Sequence, residues 1–212
     1  GIYYEPGSLK ARLCVAGRRA LVERCEAQGI AYRVMGKVIV ATQGEECATL
    51  DRLHRTAQEN GVQLNFEPCN ISIALEPDQA KNLVEAVPGL GCTLDYAHQV
   101  QIGLTNAGIE PMHLLANHFH VKQSAEGEFE VKTNAGNGVI DFDRLMRKLK
   151  SDDYDGVVTV EFVAAPDVIE AGWDMKVETG KMKKVIEDAL EAANRLQQAG
   201  LDDDPNASNF SL

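Results

Sequence analysis

The sequence predicts an α/β fold in which helices alternate with the strands of a parallel sheet. From residue 61 onward, strand-like and helix-like segments follow one another in turn. The clearest strand is the β-branched run GVVTVEF at Gly156–Phe162, which lies between two helical patterns. Such alternation is typical of βαβ units, whose strands run parallel. The length of 212 residues is short for a closed barrel of eight such units, which takes about 250.

The composition indicates a folded, acidic protein. The chain has 21 lysines and arginines against 32 aspartates and glutamates, a formal net charge of −11, and 44% of its residues are apolar. This apolar share suffices for a core and excludes a disordered acidic protein, whereas the charge argues against a general nucleic-acid binder. Apolar runs such as Val38–Ala41 are too short to span a bilayer. Since no leader pattern follows Gly1, we expect a soluble cytoplasmic protein that binds neither nucleic acid nor membranes.

The cysteines predict a reduced protein. Their number is odd, their gaps are wide and no Cys-x-x-Cys pair occurs among Cys14, Cys25, Cys47, Cys69 and Cys92. That pattern favours mostly buried thiols over a disulfide framework or a zinc knot.

The N-terminal residues predict an amphipathic helix. Ser8 is a suitable N-cap and Gly29 a suitable stop. The apolar residues between them recur at helical spacing: Leu9, Leu13, Ala16, Ala20 and Leu21.

Two short strands and a second helix are predicted next. Tyr32–Thr42 has an extended pattern that Gly36 breaks in two. A helix is predicted over residues 45–60, and Gly61 ends it. Its apolar face consists of Leu50, Leu53 and Ala57.

Residues 62–121 predict three strands separated by helical segments. The strands are Val62–Phe66, Gly91–Leu94 and His118–Val121. Pro77 suits the first position of a helix, and a short helix is predicted at Met112–Ala116. Within the third strand, we expect one of His118 and His120 to face the helices and the other to face the interior.

The remaining residues predict a helix, a strand and a closing helix. After a polar, glycine-rich loop through Gly138, Asp141 is suited to cap a helix. The apolar residues of that helix are Phe142, Leu145, Met146 and Leu149. The Gly156–Phe162 strand comes next, followed by a long helix over Val177–Gln198. Residues 199–212 are predicted to be a flexible acidic tail.

Four predicted strands end in side chains that can bind a metal ion. They are Glu67, Asp95, His120 and Glu161. In a parallel β/α barrel the C-terminal ends of the strands converge on one face, where active sites are built. Three carboxylates and one imidazole suit Mn²⁺, Mg²⁺ or Co²⁺ better than a thiolate-type zinc site would. Glu67 and Glu161 could also exchange protons at the carbon next to a carbonyl group.

Each of these residues has a structural alternative. A glutamate at a strand end can be a cap or a salt-bridge partner, and Asp95 can cap the segment that follows it. A single histidine can be a core residue whose hydrogen bonds are satisfied. The prediction of a metal site therefore depends on the four side chains occurring together.

Several stretches after residue 60 share their order and spacing with a known family. They are GVQLNFEPCN, VPGLGCTLDYAH, NHFHVKQ, GVIDFDRLMRKLKSDDYDGVVTVEF and the long closing helix. With them, residues 61–196 resemble the C-terminal half of the sugar phosphate isomerase/epimerase family, the xylose-isomerase-like TIM barrels that include ketose 3-epimerases. The resemblance implies that residues 61–198 hold strands five to eight, a partial (half) TIM-type β/α barrel behind an N-terminal α+β segment.

The resemblance also implies roles for single residues. The metal ligands would be Glu67, Asp95, His120 and Glu161, holding Mn²⁺, Mg²⁺ or Co²⁺. Glu67 and Glu161 would be the catalytic acid/base pair, and His98 would contact the substrate.

Two positions depart from the pattern of the ketose 3-epimerases. Ile73 stands where they carry a second glutamate, and Glu126 stands where they carry an arginine. Lys122 is then the candidate for a positive charge that binds substrate, with an exposed strand lysine as the alternative. The departures concern the ketose substrate rather than the general isomerase or epimerase site.

The stretches GIYYEPGSLKARLCVAG and GIAYRVMGKVIVAT resemble a different family. Through them, residues 1–62 are similar to a fragment of the L-2-hydroxyglutarate dehydrogenase/oxidase family of FAD enzymes. The glycine-rich loop that holds the FAD pyrophosphate is absent from the sequence, so we expect no independent FAD binding. Tyr3 and Tyr4 could approach a flavin in that family, whereas here they could instead cover apolar surface.

These patterns predict three segments and one leading function. Residues 1–60 are an FAD-oxidoreductase-like fragment, 61–198 the half barrel and 199–212 the tail. The predicted function is that of a divalent-metal-dependent sugar or sugar-phosphate isomerase or epimerase, which transfers a proton through an enediolate of a small sugar or sugar acid. The alternatives are a fragment of an FAD-dependent 2-hydroxyacid oxidoreductase and an inactive fusion or misjoined chain.

A half barrel exposes the edges of its sheet and an apolar interior. We therefore predict a homo-oligomer, in which two copies pair by twofold symmetry. Alternatively, the strands predicted at Tyr32–Thr42 could cover one edge.

Overall fold

The computed structural model describes residues 4, 7–31, 47–59, 61–70, 72, 74–163 and 166–199. The chain divides into two compact units, residues 1–66 and 67–212. Several predictions lie outside the described residues, among them the strands at Tyr32–Thr42, the placement of Tyr3 and the tail from residue 200 onward.

In the first unit, helix α1 spans Leu9–Ala27 and begins and ends as predicted. The Ser8 hydroxyl accepts a hydrogen bond from a backbone amide of the first turn at 3.2 Å, and Gly29, with φ +63°, follows the helix. The apolar spacing, however, does not lead to burial. No residue of α1 is buried, and Leu9 and Leu13 are 68% and 61% exposed. Spacing creates an apolar stripe, but only a packed neighbour can cover it.

Helix α2 (Cys47–Glu59) has a buried face, as predicted. Leu53 and Ala57 are both buried, while the side chain of Leu50 lies outside the described part of the chain. The short strand β1 (Leu64–Phe66) follows α2 and lies within the predicted strand.

The second unit contains three parallel strands: β2 (Leu90–Asp95), β3 (Ala116–Val121) and β4 (Val157–Val160). Strand β3 lies between the other two and pairs in parallel with both. The register sets Asp95 opposite His120, and His120 opposite Thr159. The α/β fold with a parallel sheet is confirmed, and the C-terminal ends of the strands meet at one edge.

Helices lie before, between and after these strands. They are α3 (Pro77–Ala86), α4 (Tyr96–Gln101), α5 (Asn106–Ile109), α6 (Phe142–Ser151), α7 (Pro166–Glu170) and α8 (Met175–Ala199). The helix predicted at Met112–Ala116 is a 3₁₀ turn, Glu110–Leu115. The sequence pattern misses α4, α5 and α7, because helices of six residues or fewer are too short to display a helical period. In the described part of the chain, no helix is long and apolar enough to cross a membrane.

Two predicted helix starts are confirmed by their hydrogen bonds. Pro77 is the first residue of α3, and the Glu76 amide before it donates to Gln79 Oε1 at 3.2 Å. At the start of α6, the Asp141 carboxylate accepts a hydrogen bond from the Arg144 amide at 2.8 Å.

The core of the second unit lies between the sheet and its helices. Helix α6 packs against α8 and buries its four predicted apolar side chains, Phe142, Leu145, Met146 and Leu149. Phe119, in the middle of β3, is fully buried. Each large apolar side chain contributes about 1.5–3 kcal/mol by leaving water.

Strand β4 is less buried than the strand beside it. All four of its residues are half-buried, whereas β3 has fully buried residues at Phe119 and Val121. The cause is position: β4 is the last strand of its sheet, and within the described residues only β3 pairs with it.

The cysteines match their prediction only in part. Cys69 and Cys92 are buried, Cys25 is half-buried and Cys14 is exposed on α1, with no disulfide among these described cysteines. Cys14 is exposed because the helix that carries it has no buried face.

Candidate metal centre

The structure brings the four predicted metal ligands together. Glu67 directly follows β1, Asp95 ends β2, His120 lies one residue before the end of β3, and Glu161 directly follows β4. One ligand atom of each residue lies within 4.8 Å of those of the other three. Asp95 is buried and the other three are half-buried.

His120 lies between two carboxylates. Its Nδ1 atom is 3.1 Å from Glu67 Oε1 and 3.1 Å from Glu161 Oε2. Burial alone would lower the pKa of His120, but its hydrogen bonds with Glu161 and Glu67 outweigh burial and raise the pKa to about 9. The bond with His120, helped by the charge of Lys122, lowers the pKa of Glu161 to about 2.

Asp95 uses both of its oxygens. Oδ1 accepts a hydrogen bond from the Ala97 amide at 2.9 Å and so caps α4. Oδ2 forms an ion pair with the Lys122 ammonium. The capping alternative foreseen for Asp95 therefore holds together with its place in the cluster.

Lys122 is fully buried, and its ammonium also lies 3.3 Å from Glu161 Oε2. Burial lowers the pKa of Lys122, but the charges and hydrogen bonds of Asp95 and Glu161 outweigh it, so that the pKa is raised. The alternative of an exposed strand lysine is therefore wrong. The side chain follows the end of β3 and turns into the cluster because two carboxylates there can pair with it.

His98, predicted to contact substrate, lies beside this cluster. Its Nε2 atom is 3.9 Å from Glu67 Oε1, and its Nδ1 accepts a hydrogen bond from the Asn70 amide at 3.4 Å. Burial lowers the pKa of His98. Because Nδ1 accepts, the proton of the neutral ring lies on Nε2, which faces Glu67.

Phe129 is a site residue that the sequence reasoning missed. Its ring stacks on His98 with 4.4 Å between ring centroids, and the Lys122 ammonium is 4.3 Å from its ring centroid. One signal could have found it: it is the single aromatic residue in the polar loop between β3 and α6.

That loop is fastened from two sides. Glu130 Oε2 accepts a hydrogen bond from the Val163 amide at 2.9 Å, just after Glu161. Further along, the Thr133 amide donates to Glu178 Oε2 in α8 at 3.0 Å. These hydrogen bonds hold the backbone of the loop on the C-terminal side of Phe129, whose ring lies at the site.

The expectation that His118 and His120 face opposite sides of the sheet is wrong. Their ring centroids are 5.2 Å apart, because residues two apart in a strand project to the same face. His118 Nε2 lies 2.9 Å from Thr159 Oγ1, so His118 extends the polar face of the cluster.

The two departures from the ketose 3-epimerase pattern have different outcomes. Glu126 is exposed in the loop after β3, and Lys122 is the buried cation nearest the cluster. Ile73 lies outside the described residues.

The donor set of the cluster fits a divalent cation. Three carboxylates supply oxygen ligands and one imidazole supplies nitrogen, all within 4.8 Å. Mn²⁺, Mg²⁺ and Co²⁺ all accept such mixed oxygen-rich ligands.

β/α barrels place carboxylates and imidazoles at the C-terminal ends of their parallel strands, as this chain does. Residues 15–198 match the family model described as xylose isomerase-like TIM barrel. The chain belongs to this family. The match begins at residue 15, well inside the segment that resembles the flavin enzymes.

Solved structures show the same fold. An L-ribulose 3-epimerase aligns with 78% of this chain and 61% of its own, at 20% identity and a TM-score of 0.57. A D-allulose 3-epimerase from Methylomonas sp. aligns with 76% of this chain and 62% of its own, at 20% identity and a TM-score of 0.53. The likeness confirms the partial β/α barrel.

Curated relatives match a different portion of sequence. Mitochondrial L-2-hydroxyglutarate dehydrogenase from Pongo abelii is 51% identical over 63 residues, which are 30% of this chain and 15% of that protein. The Homo sapiens enzyme is 50% identical over 62 residues, 29% of this chain and 13% of that protein. The chain thus spans a small part of the length of these relatives, and both resemblances noted in the sequence are confirmed.

Proposed function

We propose that the chain is a divalent-metal-dependent isomerase or epimerase of small sugars, sugar phosphates or sugar acids. The observation that supports this most is the cluster of Glu67, Asp95, His120 and Glu161 within 4.8 Å, in a chain of the xylose isomerase-like family. Strands distant in sequence contribute one ligand each, at the end of the sheet where β/α barrels place their active sites.

The four clustered residues would hold the metal ion. When bound, the ion would supply positive charge that stabilises negative charge on a substrate oxygen. Asp95 would bind from a rigid position, because it also caps α4.

Glu67 and Glu161 would transfer the proton. Glu161 has a pKa of about 2 and is ionised, as a base must be. One glutamate takes the proton from the carbon next to the carbonyl, and the electron pair of that C–H bond moves into an enediolate. The other glutamate, which has to carry a proton at the start of the turnover, donates it to the opposite face of that carbon and gives an epimer. If the first glutamate instead returns its own proton to the neighbouring carbon, while the hydroxyl proton moves between the two oxygens, the product is an isomer.

His98 and Lys122 would bind the substrate. The Nε2 proton of His98 and the Lys122 ammonium are both donors beside Glu67 and Glu161. Hydroxyl, carbonyl or phosphate oxygens of a small sugar are suitable acceptors. Phe129 would provide an apolar wall next to them.

Metal content tests the proposal. We expect the purified protein to bind Mn²⁺, Mg²⁺ or Co²⁺ stoichiometrically in calorimetric titrations. Glu67→Gln and Glu161→Gln should weaken binding by more than about 100-fold, since even groups that only orient a ligand contribute about 10- to 100-fold. Glu187→Gln is the matched control, because Glu187 is exposed on α8 and pairs with Lys183. A wild-type protein that binds none of the three ions contradicts the proposal and favours an inactive chain.

A flavin-dependent 2-hydroxyacid oxidoreductase is the second candidate, favoured by the 51% identity over 63 residues. The glycine-rich phosphate loop is not present in the sequence. Tyr4 is exposed, with the Lys10 ammonium 5.5 Å from its ring centroid. Flavin absorbance of the purified protein, retained after gel filtration, would support this candidate over the first.

A further inference from the structure

The buried ammonium of Lys122 lies inside a cluster suited to bind a cation. It contacts Asp95 Oδ2 and lies 3.3 Å from Glu161 Oε2. These two carboxylates are half of the proposed ligand set. The side chains of Lys122 and Asp95 are both 0% exposed, so water cannot take over the role of either partner.

The charges of the cluster call for such a partner. Glu67, Asp95 and Glu161 bring three carboxylates within 4.8 Å of one another. Like charges at this distance repel strongly where solvent is excluded. The positive charge of Lys122 offsets part of that repulsion while no metal ion is bound, beside His120, which lies 3.1 Å from both glutamates.

A divalent ion held by this cluster would compete with the ammonium for Asp95 and Glu161. An ion ligated by Asp95 and Glu161 has to displace Lys122 from at least one of them, since the two cations repel each other. The structure offers the ammonium a second partner, the ring of Phe129, whose centroid is 4.3 Å away. The flexible four-carbon stem of a lysine allows the ammonium to move from the carboxylates towards this ring.

We propose that Lys122 is an internal substitute for the metal ion, which keeps the metal-free site folded and is displaced towards Phe129 when the ion binds. This inference rests on the proposed function, because it assumes that the cluster binds a metal. It adds a positioning and affinity-setting role to a residue otherwise assigned to substrate. Lys122 thereby weakens metal binding and stabilises the metal-free protein.

A variant without the ammonium should bind metal more tightly but be less stable without metal. Lys122→Met keeps the length and apolar stem of the side chain but loses its charge. We expect it to bind Mn²⁺ at least about tenfold more tightly than the wild type, because a unit charge a few ångströms from the ion is gone. The metal-free variant should melt at a lower temperature than the wild type. Mn²⁺ should raise the melting temperature of the variant by more than it raises that of the wild type. If Lys122 only formed a structural salt bridge, the substitution would lower stability without tightening metal binding.

The experiment compares full-length wild type, Lys122→Met and Lys148→Met after removal of metal with a chelator. Lys148 is the control, because it pairs with Asp152 outside the cluster. Mn²⁺ titration calorimetry gives the affinities, and thermal melts with and without Mn²⁺ give the stabilities. Lys122→Gln repeats the test with a polar side chain.

Each outcome of this experiment supports or overturns the inference about Lys122. Tighter Mn²⁺ binding with a lower metal-free melting temperature supports the inference, and so does a variant that folds only when Mn²⁺ is present. Equal or weaker binding than wild type, tighter binding without a lower metal-free melting temperature, or failure of both variants to fold even with Mn²⁺ overturns the inference and leaves the proposed function standing. If Mn²⁺, Mg²⁺ and Co²⁺ bind neither wild type nor variants, the proposed function fails and the inference fails with it.

Discussion

His113 links three elements of the second unit through a buried hydrogen-bond chain. Its Nε2 lies 2.7 Å from Tyr96 Oη, and its Nδ1 lies 3.3 Å from Asp152 Oδ2. Burial lowers the pKa of His113, and the bond with Asp152 offsets this only in part. The ring is therefore neutral in the folded chain, whereas in the unfolded chain it titrates near its ordinary value of about 6.5.

We predict that this histidine makes the protein less stable in acid. As the pH falls through about 6.5, the unfolded chain binds a proton that the folded chain rejects, so the free energy of unfolding decreases by up to about 1.4 kcal/mol per pH unit. His113→Gln should flatten this dependence. It should also cost about 1–3 kcal/mol at neutral pH, because the partners lose a hydrogen bond. Urea unfolding at several pH values between about 5 and 8 measures both; an unaltered pH slope in the variant contradicts the prediction.

Among single residues, only part of the candidate site could be predicted from the sequence. Glu67 and Asp95 stand out because each follows a short apolar strand, which is a local pattern. The burial of Lys122 depends on Asp95 and Glu161, which are 27 and 39 residues away. No local pattern contains such partners, so the sequence also allows the exposed strand lysine that the structure contradicts. Phe129 was missed for the same reason.

Among the elements, α6 shows how a local signal and long-range packing combine. The Asp141 cap starts the helix, and the buried side chains Phe142 and Leu145 hold it against the core. Its acidic start and the lysines in its last turn also match the helix dipole.

We predict that Asp141→Ala lowers the free energy of unfolding by about 1 kcal/mol, within a range of about 0.5–2, because the first turn loses its side-chain acceptor. Asp143→Ala is the control. Asp143 lies in the same turn without capping it, so that only its weaker interaction with the helix dipole is lost. Thermal or urea unfolding compares the two, and equal losses would count against the capping role.

The helix starts that were predicted correctly are marked by residues within the first turn of the helix or directly before it. Ser8, Pro77 and Asp141 each mark a helix start through a bond or a fixed φ within one turn. Burial is different, because it needs a partner. The apolar spacing of α1 therefore predicts a face that the structure leaves exposed.

At the scale of the whole molecule, the chain is shorter than the barrels it resembles. It aligns with 61% of the L-ribulose 3-epimerase chain. Strand β4 is half-buried, and among the described residues it pairs only with β3. Such an edge exposes backbone donors and acceptors that a further strand could satisfy.

We propose, on this basis, that the chain forms a dimer or a larger homo-oligomer. Sedimentation velocity at micromolar concentration should reveal a species of at least twice the chain mass, and its fraction should rise with concentration. Dilution is the control, since it shifts a true association towards monomer. A single monomer at every concentration contradicts this prediction.

The order of the ligands along the chain has a consequence for synthesis. Translation proceeds from the N-terminus, so Asp95 and Lys122 leave the ribosome before Glu161, which comes 39 residues after Lys122. The Asp95–Lys122 ion pair can therefore form on the nascent chain while β4 is still being made. Until β4 joins β3, His120 has no Glu161 beside it and the ligand set is incomplete. A metal ion bound by all four proposed ligands would therefore require β4 to be in place, whereas a chain truncated before Glu161 would keep only the Asp95–Lys122 ion pair.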